Sequence, residues 1–232
     1  MKTMMRVCFL VFVLACYSDF ALSQTKLKPK PKPSPTVTNI LVTPTADEVL
    51  LGGSLTTNKY VNTVLGFSLD LPKGWFHHGE DDKMAVMDKG KAIIGADKSR
   101  ADKRALDASA ARSRVLFQLS SLLPGEAGSW AAFACGIERL PEPMSSNEYA
   151  AENRKLLLGQ PTVKTTRANY PKVIGGASWT AFEVENDQAG VLVKQTFVAT
   201  VRRGFAVFLV VSSVNAEHDK AIAESLNSIK FK

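Results

Sequence analysis

Arg203-Gly204-Phe205-Ala206-Val207-Phe208-Leu209-Val210-Val211 decides the fold. After the Arg203-Gly204 turn every side chain is apolar, so a strand made from it needs cover on both faces. Such a strand sits centrally in a sheet that helices cover. Upstream, residues 190–202 read as its partner. Val191, Val193, Phe197, Ala199 and Val201 mark one face, and Lys194, Thr196, Thr200 and Arg202 the other. A further strand spans 176–186, and Asn186-Asp187-Gln188-Ala189-Gly190 turns the corner between them. Downstream, Asn215 opens a closing helix. Glu217 and Asp219 suit its positive end, and Ile222, Leu226 and Ile229 form its packing stripe. The expected class is α+β: an antiparallel sheet flanked by helices, an α-β-α sandwich.

The same periods organise the rest of the body. Tyr60, Asn62 and Val64 lead into a Leu65-Gly66 turn. Phe67, Leu69 and Leu71 then alternate with Ser68 and Asp70, so a hairpin is expected. Pro72-Lys73-Gly74-Trp75 ends it. Val115, Phe117 and Leu119 mark another strand, and 130–139 the next. Ser145 and Glu148 form a capping box, with Met144 and Tyr149 placed as a hydrophobic staple, for a helix running to about Leu158. Residues 79–114 are dense in charge of both signs and read as an exposed flap or insertion. A short hairpin is expected around Asp88-Lys89-Gly90 and a helix near Lys98–Ala111. Residues 36–56, with Pro44, Gly52 and Gly53, read as an irregular lead-in. Phe67, Leu69, Trp75, Phe197 and Leu209 are expected to share one interior.

The Tyr60-x-Asn62 pair, the Gly66–Trp75 segment, the strands at 176–182 and 203–213 and a terminal helix over 221–231 resemble the PsbP-like superfamily. That group includes photosystem PsbP proteins, DcrB-like lipoproteins and Ran-binding Mog proteins. The resemblance implies an α-β-α sandwich over about 60–232 and a non-enzymatic accessory or assembly role. Some relatives bind metals. The charged 79–114 segment and the lysine-proline stretch depart from photosynthetic PsbP.

The beginning of the chain speaks to compartment. Lys2 and Arg6 precede an apolar run from Val7 to Ala15, about half of what spans a bilayer, so residues 1–23 read as a secretory signal. Ala21-Leu22-Ser23 suits cleavage before Gln24. Alternatively, Val13-Leu14-Ala15-Cys16 resembles a lipoprotein box that lipidates Cys16. Residues 24–56 are linker and lead-in, and 57–232 the folded domain. Lys26 to Pro35 alternates lysine and proline, a stiff extended spacer of roughly 30 Å at about 3.1 Å per residue. The formal charge of +7 falls to +6 once Lys2, Arg6 and Asp19 leave. Four of those charges are Lys26, Lys28, Lys30 and Lys32, so the body carries only about +2. Nucleic acid is therefore not an expected partner. An envelope protein or cell-wall component is, with membrane association through lipidated Cys16 or the lysine-rich tail. The protein is expected to be exported, periplasmic or secreted, or lipid-anchored. Cys135 is the remaining thiol, so no internal disulfide forms. Its alternation with Phe133 and Ile137 predicts a buried residue.

Chemical motifs are few. There is no Gly-x-Ser-x-Gly elbow, phosphate loop, His-Glu-x-x-His, Cys-x-x-Cys or calcium loop. A serine triad would have to recruit His77, His78 or His218. The one constellation is His77-His78-Gly79-Glu80-Asp81-Asp82. His77, His78, Glu80 and Asp82 are candidate ligands for Zn²⁺, Mn²⁺ or Ca²⁺, if Gly79 turns the backbone so that both rings reach one ion. No catalytic residue and no other cofactor is expected. Asn153-Arg154-Lys155 and Arg202-Arg203 read as exposed charges. Three functions stay open: a tethered interaction module, a metal-dependent protein or hydrolase, and small-molecule carriage between sheet and helix.

Overall fold

The computed structural model describes residues 44–95, 99–123, 126, 128–188 and 191–232. The expected signal, Cys16 and the lysine-proline stretch lie outside the described residues. The elements in chain order are α1 (Ala46–Leu51), β1 (Gly53–Leu55), β2 (Lys59–Asn62), β3 (Phe67–Asp70), β4 (Phe76–His77), α2 (Glu80–Gly95), α3 (Arg100–Arg112), β5 (Ser113–Ser120), β6 (Ala131–Arg139), α4 (Ser146–Leu157), β7 (Val163–Ile174), β8 (Ala177–Gln188), β9 (Val191–Arg202), β10 (Phe205–Ser213), α5 (Ala216–Asn227) and β11 (Lys230–Phe231). Seven strands form one antiparallel sheet in the order β4-β5-β6-β10-β9-β8-β7, and a smaller sheet runs β1-β2-β3-β11. The α+β class read from the sequence is the one observed.

The all-apolar strand is central, and all of β10 is buried. Its neighbours are β6 and β9. On one face Phe208, Phe197 and Phe182 stack at centroid spacings of 5.9 and 4.9 Å, and Tyr149 of α4 lies over Phe208 at 6.3 Å. Phe208 is registered opposite Gly136 of β6, where a Cβ would stand 2.3 Å from the phenyl ring. Glycine there makes room for the ring. On the other face Leu209, Val207, Phe117 and Phe133 meet Tyr60, Phe67 and Leu69 of the small sheet, Val49 of α1, and Ile222 and Leu226 of α5.

Several expectations are corrected. Phe67, Leu69, Trp75 and Leu209 share one cluster, but Phe197 lies on the opposite face. Its strand neighbour Val198 is registered opposite Leu209, and consecutive side chains point to opposite faces. The expected hairpin at Asp88-Lys89-Gly90 is the middle of α2. Glu80, Asp81 and Asp82 in the first turn favour that helix. The 79–114 segment is no exposed flap: Val86, Met87 and Ala110 pack onto the phenylalanine face, and Ile94 and Leu106 form a cluster of their own. Ser109 Oγ and Tyr149 Oη donate to buried Glu138 at 2.7 and 3.2 Å, with Arg112 at 3.3 Å, so α3 and α4 are both tied to β6.

Part of the irregular lead-in is α1, started by a Thr45/Glu48 capping box, followed by β1. The 221–231 helix stops at Asn227, and Lys230–Phe231 instead pair with β3. Asn186, Asp187 and Gln188, expected in the corner after β8, remain in the ladder with β9. The sequence reading missed β7 altogether. Its Lys164, Arg167, Pro171 and Lys172 are residues an exposed edge strand carries.

Gly136→Ala is expected to destabilise the protein by about 1–3 kcal/mol through overpacking against Phe208. Denaturant unfolding checks this, and a double-mutant cycle with Phe208→Leu should recover much of the loss.

Candidate functional site

The His77–Asp82 segment spans the junction between β4 and α2. β4 is short, pairing only Phe76 with Ser120 and His77 with Leu119. The backbone then turns. The His78 N–H donates to the Gln118 carbonyl at 3.0 Å, and the Gly79 N–H to Asp82 Oδ2 at 3.2 Å. His78 Nε2 lies 2.9 Å from Ser120 Oγ, while Nδ1 stands 3.9 Å from Asp82 Oδ2. Glu80 turns away to Lys83, and His77 is exposed. Of the four candidate ligands, only His78 and Asp82 approach one another. Among the described residues no three metal-ligating side chains gather.

Ser120, His78 and Asp82 have the residue types of a nucleophilic triad, but the protons run the wrong way. Ser120 Oγ donates to the Leu122 carbonyl at 2.6 Å, so it accepts from His78 Nε2–H. A triad histidine has to take a proton from the serine at that nitrogen. Ser120 is also enclosed, at 2% exposure. The array therefore pins the β4–α2 junction to β5. Burial holds the His78 pKa below its ordinary value, against the pull of Asp82 and with a smaller push from His77. Cys135 is buried and free as expected, and burial pushes its thiol pKa up, so it offers no thiolate.

Two groups read as exposed charges are structural. Asn153 is fully buried on α4 and its amide donates to the Tyr149 carbonyl at 2.8 Å. Arg203 occupies the left-handed region (φ 51°) in the β9–β10 turn, and its guanidinium donates to the Val64 carbonyl. Arg202 stacks on the Phe231 ring at 4.1 Å.

A cleft of about 440 Å³ lies elsewhere, between β7–β10 and α5. The small sheet and α5 cover only part of their face of the large sheet. Trp179 and Ala181 of β8 lie under that cover, but the next residues on the same face are Glu183 and Glu185. The floor is built in register. Glu183 faces Arg167 on β7 and Thr196 on β9, and Glu185 faces Lys194. Ile222, Ala223 and Leu226 of α5 form an apolar wall.

Two bulges in β7, either side of Arg167, break the even ladder there. The guanidinium lies 3.6 Å over the Tyr170 ring, and the Tyr170 hydroxyl donates to Glu183 Oε1 at 2.7 Å. Burial first, and then the Glu183 bond, push the Tyr170 pKa up to about 12. Ser213 Oγ closes on Asp219 at the start of α5. Glu185, Lys172 and Lys194 also line the cleft, but make no ion pair or side-chain hydrogen bond among the described residues. The sequence reading missed this site. Its signal was present in β8, where one face changes from Trp179 and Ala181 to Glu183 and Glu185.

No family model matches the chain, and no curated protein matches it in sequence. Solved structures do. The solution structure of cyanobacterial PsbP from Synechocystis is 13% identical, with a TM-score of 0.46, over 78% of this chain and 96% of that one. LpqN, involved in cell envelope biogenesis of Mycobacterium tuberculosis, is 11% identical with a TM-score of 0.41, over 52% of this chain and 79% of that one. A Pseudomonas aeruginosa protein is 16% identical with a TM-score of 0.40, over 48% and 80%.

The His78 ring is expected to titrate below 6.5 in an NMR pH series. The folded state resists the proton, so this contribution to stability is present above pH 6.5 and is lost as the pH falls through the lowered value. A midpoint above 6.5 would contradict a buried ring bonded to Ser120.

Proposed function

We propose that the protein is an exported, non-enzymatic interaction module of the bacterial envelope that binds a protein or wall partner. One observation carries this reading: an open, mixed polar and apolar cleft on a rigid sheet whose reactive-looking groups are committed to structural bonds. His78 is bonded to Ser120, Glu183 to Tyr170, Asp219 to Ser213, and Cys135 is enclosed. The cleft that remains presents charges and apolar wall, which suit recognition.

The sequence supports the placement. In this reading the signal-like start serves export, and the lysine-proline stretch serves as the spacer ahead of the body. Four lysines in that spacer suit anionic wall polymers or lipid headgroups. The nearly balanced body leaves specificity to shape and to locally placed groups.

Crosslinking of the full-length protein in intact envelopes, followed by mass spectrometry, tests this. A reproducible envelope protein or wall fragment is expected, joined to peptides of the folded body. The mature N-terminal peptide distinguishes release at Gln24 from lipidation at Cys16. Turnover of a compound that disappears on replacing one cleft side chain would sink the non-enzymatic reading.

A further inference from the structure

We propose that α2 and α3 form a hinged cover over the β5–β6 side of the phenylalanine face, latched by Glu138, and that this cover opens as one unit while the sheet beneath it stays folded.

The apolar contacts of this helical pair are mostly its own. Ile94 of α2 and Leu106 of α3 are its large buried apolar side chains, and they form a cluster with each other that Leu156 of α4 only borders. Lys91 Nζ meets Asp107 Oδ1 at 3.0 Å and joins the same two helices again. Toward the sheet the pair offers Val86, Met87 and Ala110, all partly buried. α4 is built the other way. Its Tyr149, Ala150 and Leu157 are fully enclosed, and it lies against β7, β8 and β9. Apolar burial is the main force that keeps a flanking element in place. It fixes α4 to the sheet, but it fixes α2 and α3 chiefly to each other.

Polar bonds fasten the pair to the sheet. Ser109 Oγ donates to Glu138 Oε1 at 2.7 Å, and Arg112 Nη2 reaches the same oxygen at 3.3 Å. Arg112 Nε donates to the Arg139 carbonyl at 3.2 Å. When the cover lifts, the buried Glu138 carboxylate and its donors trade one another for water, so the latch costs little to undo. When it falls, an enclosed carboxylate has to recover those donors, so the cover shuts in one register. Both ends of the unit are anchored. His78 is tied to β5 through the Gln118 carbonyl and Ser120, and Ser113 is already the first residue of β5. Between His78 and α2 stands Gly79, where a Cβ would meet only Asp82 Oδ2, at 3.8 Å, so nothing crowds a swing there. Opening uncovers Val115 of β5 and Ala134 of β6. Helices of 16 and 13 residues are marginal in water once released, so opening appears as a joint loss of amide protection.

Hydrogen exchange of the full chain, followed amide by amide by NMR, tests this. The amides of α2 and α3 are expected to exchange together, about tenfold or more faster than those of β9 and β10. Ser109→Ala removes a latch donor yet installs a better helix former, so loss of helix propensity cannot explain a looser cover. It should speed exchange by about tenfold in both helices, including α2, which carries no latch residue, and leave β9 and β10 unchanged. The variant should also bind more of the apolar dye anilinonaphthalene sulfonate than the unaltered protein. Protection of α2 and α3 equal to that of β9 and β10 in the unaltered protein overturns the proposal. So does exchange in Ser109→Ala that rises in α3 alone, rises everywhere alike, or does not rise, and so does unchanged dye binding. Should Ser109→Ala not fold, the exchange pattern of the unaltered chain decides alone.

Discussion

A single strand without a polar face dictates this architecture. All of β10 is buried, so water is excluded from both sides of the sheet at its centre. Two separate covers have to be supplied, and the chain supplies different ones. On the phenylalanine side, α2, α3 and α4 close over stacked rings. On the other, a second small sheet shares the work with α1 and α5. Burying apolar area on two faces is the dominant favourable term, and the flanking elements persist because they deliver it.

The asymmetry of those covers produces the candidate site. α4 shields the phenylalanine face of β8 and β9, but the small sheet is too narrow to reach the far end of the opposite face. There the strands switch from Trp179 and Ala181 to Glu183 and Glu185. A sheet end left bare would expose apolar surface. Here it carries charge, and α5 leans over one side of it. The cleft is thus the margin of incomplete cover, and its rigidity comes from ladders on the floor and a capped helix at the wall.

Much of the fold was legible because period and turn chemistry agreed locally. The hairpin around Gly66, the Ser145 capping box, the Arg203-Gly204 turn and the apolar run of β10 all carry their own evidence. What stayed hidden depends on distant partners. α2 has few large apolar residues, and its helical state is secured by seating Val86 and Met87 on the sheet. β7 looks like a polar loop because edge strands are written to resist pairing. Phe231 belongs to a helix by propensity but to a strand by contact, since Phe67 and Trp179 receive its ring. The candidate ligands of residues 77–82 were visible as a cluster of types. Their directions were not, because Ser120 and Lys83 decide where His78 and Glu80 point.

The pairing of β11 with β3 joins residues more than 150 positions apart, and the Lys232 N–H reaches the Gly66 carbonyl at 2.8 Å. Arg203 and Gly175 converge on the same corner, the first through Val64 and the second by its close approach to the Ile229 carbonyl. The small sheet therefore cannot acquire its last strand until residues 230–231 have left the ribosome. The β2–β3 hairpin can close locally as soon as it is made, but the edge of β3 stays open until β11 arrives to cover it.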